Sequence, residues 1–191
     1  MEQSNKAFSQ ALVKSLRGER GHLPIKNALS DIDVALAGKR REELPYSIYQ
    51  LVKHMTYWQD FLLLSAQGEK PALPAHVKES WPEEECPGSE EEWKQIIHYF
   101  LQGIEQACTI AQTVQLNKTL EEWPGETPGG VLRNIASHNS YHLGEIVLIR
   151  RLFSAWPPPA FRKKTMLRAC KVLYSFSANP VTNKNPKTAP G

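Results

Sequence analysis

Apolar residues recur at three- and four-residue intervals in the long segments before residue 157, and this spacing limits the folds open to the chain. Residues with such spacing lie on one face of an α-helix, and that face is stable only when other elements cover it. No β-branched-rich run alternates between apolar and polar residues, as a half-buried strand would. The sequence therefore predicts an all-α protein.

The helical pattern divides into four arms, at about residues 5–37, 46–66, 89–111 and 127–156. Gly18 and Gly21 interrupt the first arm, which is predicted to continue as helix over residues 23–37. Ser89 and Glu92 have the spacing of a capping box at the start of the third arm. The three prolines at 157–159 cannot continue a helix, so the fourth arm ends before them. Four arms and a long connection at 68–88 predict a four-helix bundle.

The bulk composition is that of an ordinary cytoplasmic domain. A chain of 191 residues buries a substantial core without disulfides, and its three cysteines form no C-x-x-C pair. No apolar run approaches the roughly 20 residues that span a membrane, and the first residues do not resemble a signal peptide. We therefore expect a cytoplasmic protein without a membrane partner.

The C-terminal segment differs in charge from the rest of the chain. Residues 160–191 contain seven Lys or Arg and no acidic residue, whereas the remainder has 16 basic and 20 acidic residues. We predict a helical domain over residues 1–159 and a basic extension over 160–191 that is not a domain. A basic tail can contact nucleic acid, but an acidic body makes nucleic acid a poor candidate partner for the bundle.

Three histidines are the candidate functional residues. His138 and His142 are four residues apart in the fourth arm, so both imidazoles point to one side of that helix. His54 lies on the apolar stripe of the second arm, between Leu51 and Trp58. Buried imidazoles need partners, which either a shared divalent metal ion or hydrogen bonds within the core would provide. Asn139 stands where the zinc-protease motif H-E-x-x-H has its glutamate, so that motif is excluded.

Other residues are candidates to support the histidines. Imidazole N–H groups beside a metal are held by acceptors, and the polar residues near in sequence are Glu145, Asn139, Tyr141 and Tyr57. Glu145 comes first, as an acceptor or a fourth ligand, with a salt bridge or a solvated carboxylate as the alternative. Trp81 either packs over a pocket mouth or anchors the 68–88 connection to the bundle. His22 either lies near the same end of the bundle or caps a turn.

A resemblance is carried by residues 44–59 (LPYSIYQLVKHMTYWQ), residues 135–152 (IASHNSYHLGEIVLIRRL) and residues 17–22 (RGERGH). These segments are similar to the DinB family of bacterial proteins, and the similarity covers about residues 5–159. The resemblance implies a four-helix bundle, commonly a homodimer, with one divalent metal ion held by three histidines. In this sequence those residues are His54, His138 and His142.

The resemblance also implies a range of activities. DinB-like proteins include transferases and isomerases that use low-molecular-weight thiols such as bacillithiol or mycothiol, metal-dependent hydrolases, and DNA-damage-inducible proteins without assigned chemistry. A three-histidine site with an open position suits zinc, nickel, iron or cobalt, with zinc and nickel as first candidates. The catalytic group would be a water or a thiolate held by the metal. We predict a thiol S-transferase or related hydrolase acting on small electrophiles. The alternative is a non-catalytic metal-binding bundle of a stress or DNA-damage response.

Overall fold

The computed structural model describes residues 2–19 and 21–159, and over these residues it is helical without strands. Its α-helices are α1 (Glu2–Leu16), α2 (Ile25–Ala28), α3 (Val34–Ala37), α4 (Ile48–Ala66), α5 (Glu90–Thr113) and α6 (Pro128–Leu152). A 3-10 helix, Val77–Ser80, lies in the connection between α4 and α5. The prediction of an all-α fold is confirmed.

The four long helices form the bundle. Helix α4 packs against α5 and α6, and α1 packs against the same two, so α1 and α4 lie across a diagonal of the bundle. Apolar side chains from all four fill the space between them; the most completely buried include Leu16, Ile48, Val52, Met55, Phe100, Leu132 and Ile146. The contact between α4 and α6 is the most extensive, and it brings the second and fourth predicted arms face to face.

The predicted helix over residues 23–37 is wrong in its middle. Only the single-turn helices α2 and α3 form there, because Asp31 takes a left-handed backbone conformation with φ of 56°. The side chain of Asp33 then caps α3 by accepting a hydrogen bond from the backbone N–H of Leu36 at 2.8 Å. The apolar positions that suggested a helix are nevertheless buried, at Ile25, Leu29 and Ile32.

Helix α4 begins with a capping box. Ser47 Oγ accepts from Gln50 N–H, and Gln50 Oε1 accepts from Ser47 N–H, both at 3.1 Å. The Ser47 hydroxyl also donates to the carbonyl of Glu85 at 2.6 Å, which ties the 68–88 connection to the start of α4. At α5 only half of the predicted capping box forms. The Ser89 hydroxyl oxygen accepts from Glu92 N–H, but the Glu92 carboxylate accepts from the backbone N–H of Gly88 and not from that of Ser89.

The chain divides into two units, Met1–Trp156 and Pro157–Gly191. The helices described above all belong to the first unit. The basic segment predicted over 160–191 lies outside the residues that the structure describes. Among the described helices, none combines the length and the apolar character needed to cross a membrane.

Candidate metal centre

The three histidines singled out in the sequence lie together between α4 and α6. His54 and His142 are 5% and 7% exposed, and His138 is partly buried. One ring nitrogen from each histidine can be chosen so that all three lie within 4.8 Å of one another. The ring centroid of His54 is 5.2 Å from that of His138 and 4.9 Å from that of His142. Side chains far apart in sequence therefore meet at one buried point.

Hydrogen bonds fix the proton positions on two of these rings. Nδ1–H of His142 donates to Glu145 Oε2 at 2.6 Å, and Nδ1–H of His54 donates to the Ser80 carbonyl at 3.3 Å. A carboxylate and a carbonyl oxygen only accept, so each Nδ1 carries the proton. In a neutral imidazole the other nitrogen, Nε2, then keeps its lone pair for a metal ion.

The spacing of two nitrogens suits a shared ion. His142 Nε2 lies 3.2 Å from His138 Nε2. Two nitrogens bound to a tetrahedral zinc ion at about 2.05 Å are about 3.3 Å apart. The two histidines of α6 would therefore need little rearrangement to bind one ion, and His54 would supply the third nitrogen from α4.

The electrostatics favour neutral imidazoles. Burial, reinforced by the neighbouring His142, lowers the pKa of His54 from its ordinary 6.5 to about 4. Burial and the two neighbouring histidines likewise lower the pKa of His138 to about 4. Both rings are therefore uncharged at neutral pH, which is the form that binds a metal ion.

An aromatic stack covers one side of the site. Trp81 lies flat against His54, with ring centroids 3.8 Å apart and an interplanar angle of 10°. Its other face stacks on Tyr46, with a centroid distance of 3.5 Å. Of the two roles predicted for Trp81, the structure places it over the histidine site. The exposed ring of Tyr141 meets His142 edge-on, at a centroid distance of 5.0 Å.

The other candidates, Asn139, Tyr57 and His22, have no described hydrogen bond or ring contact with the three histidines. Within the described residues, the buried Nδ2 of Asn139 has no hydrogen-bond partner, and Tyr57 packs edge-on against Trp58. His22 is exposed, and its Nδ1 bonds the carbonyl of Leu23 at 2.8 Å, so it serves as a turn residue. Of the proposed supporting residues, Glu145 is the one with a described hydrogen bond to a histidine.

The sequence did not predict that Ser80 and Tyr46 contribute to the histidine site. Ser80 acts through its backbone carbonyl, which every residue has, so no side-chain pattern signals it. Tyr46 precedes α4 and reaches the site only through Trp81, from a connection whose path the sequence does not specify.

Comparison with known proteins identifies the family. Residues 25–146, more than half of the chain, match the DinB superfamily. The chain belongs to this superfamily. The predicted family is thereby confirmed, and the matched segment includes all three histidines and Glu145. No curated protein and no solved structure matches the chain. What the geometry adds is that the three histidines of this DinB-superfamily chain could together hold a metal ion.

Proposed function

We propose that this DinB-superfamily chain is a divalent-metal-dependent enzyme, most simply a thiol S-transferase or a related hydrolase, acting on small electrophilic substrates. The observation that supports it is the meeting of three imidazoles with no fourth protein ligand among the described residues. Three protein nitrogens leave a coordination position for a reactant, as catalytic rather than structural zinc sites do. His54, His138 and His142 would hold the ion, with zinc and nickel as the first candidates.

A divalent ion at this centre would supply Lewis-acid chemistry, lowering the pKa of a thiol or water beside it. The chain's own groups prepare the site. Glu145 and the Ser80 carbonyl hold the rings of His142 and His54 in the tautomer that presents Nε2. Trp81 shields one face of His54 from water, which strengthens electrostatic interactions inside the site.

The residue at position 139 helps to decide whether the proposed metal would activate a thiol or a water molecule. A hydrolase of the H-E-x-x-H type uses a glutamate there as general base for water, and this chain has a buried Asn139 instead. A thiol ionises far more readily than water, so it needs no such base. This difference favours thiol transfer over hydrolysis.

A second candidate is the non-catalytic metal-binding bundle. The stack of Trp81 on His54, with His54 only 5% exposed, is the arrangement expected if the centre is closed to substrates. Both candidate functions require a bound metal ion, but only the enzyme would turn over a substrate.

Metal analysis and a thiol-transfer assay test the proposal together. The purified full-length chain is expected to hold one zinc or nickel ion, measured by inductively coupled plasma mass spectrometry. A panel of small thiols is then tested with chlorodinitrobenzene: a sulfur–carbon bond forms, the carbon–chlorine bond breaks, chloride leaves and the thiol proton passes to solvent. Turnover should disappear with a chelator and in His138→Ala.

The matched control is His98→Ala, which removes an exposed histidine of α5 outside the cluster. This variant should keep both the metal and the activity. Stoichiometric metal without turnover for any thiol or ester would support the non-catalytic bundle, and absence of metal binding would overturn both candidates.

We also propose that the chain forms a homodimer, as the family resemblance implies. Size-exclusion chromatography with light scattering should give twice the 21.6 kDa of one chain. A monomer mass at micromolar concentration would refute this.

A further inference from the structure

A cavity of about 520 Å³ lies beside α4 and α5, next to the histidine centre but separate from it. Ligand sites for small molecules commonly enclose roughly 300–1,000 Å³. Ser80 and Trp81 line this cavity, and both also contact His54, so they form a wall between the two sites. Nothing in the proposed metal chemistry uses this space.

The charges around the cavity are unbalanced. Its lining contains three carboxylates, Asp60, Glu79 and Glu92, and one ammonium group, that of Lys53. Glu79 and Glu92 already accept backbone hydrogen bonds at the starts of their helices. Asp60, in the middle of α4, has no such capping role, and the net negative charge of the lining attracts cations.

Asp60 is the group that lacks a counter-charge. Its Oδ2 accepts a hydrogen bond from the Tyr99 hydroxyl at 3.1 Å, and no Lys or Arg forms an ion pair with it in the described part of the chain. Burial raises the pKa of Asp60, which means that its charged form costs free energy there. A positively charged partner would offset that cost.

Apart from the polar Thr56, Ser80 and Gln95, the rest of the lining is apolar or aromatic. Ile96 and the ring of Tyr57 contribute to it beside the edge of Trp81, whose two faces are occupied by Tyr46 and His54. A ligand body of carbon atoms would cover these groups and exclude water from the carboxylate. We propose that the cavity binds a small organic amine, with its ammonium group on Asp60 and its apolar body against Tyr57 and Ile96.

Calorimetric titration of the full-length chain tests this with phenethylamine as the probe. Its neutral analogue, phenethyl alcohol, and its anionic analogue, hydrocinnamate, have the same ring and similar length. The amine should bind roughly tenfold more tightly than the alcohol, the usual size of a charge-assisted hydrogen bond in a partly exposed site. Hydrocinnamate should bind most weakly.

Variants locate the ligand. Asp60→Asn should abolish the preference for the amine over the alcohol. Tyr99→Phe keeps the carboxylate and removes one of its partners, so it should bind the amine at least as well as the original chain. Glu121→Gln, a change at an exposed carboxylate that does not line the cavity, is the matched control and should bind unchanged.

Three results would overturn the proposal. Equal binding of amine and alcohol would show that charge is not recognised, and preferred binding of hydrocinnamate would show that Lys53 dominates. Loss of amine binding in His138→Ala, with Asp60→Asn unaffected, would place the ligand at the histidine centre instead. Because the measurement needs neither metal nor turnover, its outcome is independent of the proposed enzyme activity.

Discussion

Glu145 Oε2 lies 2.6 Å from Nδ1 of His142, three residues earlier on the same helix. The contact fixes the tautomer of His142 and makes its Nε2 a better electron donor. Glu145→Gln keeps the size of the side chain but removes its charge. We expect this change to weaken zinc binding by about 10- to 100-fold, measured by competition with a chromogenic chelator at neutral pH.

The same competition with Glu121→Gln controls for the loss of one negative charge from the chain. That exposed residue should leave zinc affinity unchanged. If Glu145→Gln binds zinc as tightly as the original chain, the carboxylate does not orient His142, and its hydrogen bond is only a surface contact.

Trp81 is the second residue whose removal should alter the site. Trp81→Ala takes away both stacking contacts, to His54 and to Tyr46, each worth about 0.5–1.5 kcal/mol. The free energy of unfolding in urea should therefore fall by about 1–3 kcal/mol. Loss of this cover should also speed the removal of zinc by a chelator, followed by stopped-flow absorbance.

Trp81→Phe separates these two effects, because a smaller ring can still stack on His54. It should recover part of the stability and slow the removal of zinc relative to Trp81→Ala. Equal zinc-release rates in the original chain and both variants would show that Trp81 does not control access to the histidines.

The helices and the histidine cluster were predictable because both follow from local periodicity. The apolar stripe placed His54 on the inner face of α4, and the four-residue spacing placed His138 and His142 on one face of α6. The break at Asp31 was not predictable, since the apolar pattern of Ile25, Leu29 and Ile32 persists through it. Such a break depends on how the segment packs against the rest of the bundle.

The path of the 68–88 connection also could not be predicted from the sequence. Its prolines indicated a loop, but the position of Trp81 depends on tertiary contacts such as the bond from Ser47 to the Glu85 carbonyl. His54 donates its hydrogen bond to a backbone carbonyl oxygen of this connection, that of Ser80. Every residue has such an oxygen, so the sequence does not indicate which one accepts. Local pattern therefore located the three histidines, and tertiary contacts determined what surrounds them.

Cys108 should make the stability of the fold sensitive to alkaline pH. Burial raises the pKa of its thiol from 9.0 to about 11. The unfolded chain therefore loses this proton at a lower pH than the folded chain, so the stabilising contribution is complete below pH 9 and is lost as the pH rises toward 11. The expected loss is at most about 1.4 kcal/mol per pH unit.

Urea unfolding at a series of pH values, with the original chain and Cys108→Ala, measures this contribution. The variant is less stable at every pH because the substitution leaves a cavity, so the comparison concerns the slope with pH. A shallower slope in the variant is expected. Identical slopes would mean that the thiol does not ionise differently on folding.

Ser47 should matter more than an ordinary helix cap. Ser89 caps α5 through one hydrogen bond, to Glu92 N–H, and Ser89→Ala should cost about 1 kcal/mol in the free energy of unfolding. Ser47 is fully buried, and besides capping α4 it donates to the Glu85 carbonyl. Ser47→Ala leaves that carbonyl without its partner, so we expect a cost of about 2–3 kcal/mol.

The two serine variants also test whether the 68–88 connection supports the histidine centre. Releasing Glu85 loosens the segment that carries Ser80 and Trp81, and both of these contact His54. Ser47→Ala should therefore release zinc to a chelator faster than Ser89→Ala does, beyond what its lower stability explains. Equal release rates in the two variants would show that the histidine centre holds its shape without the bond from Ser47, because α4 and α6 alone then fix its three nitrogens.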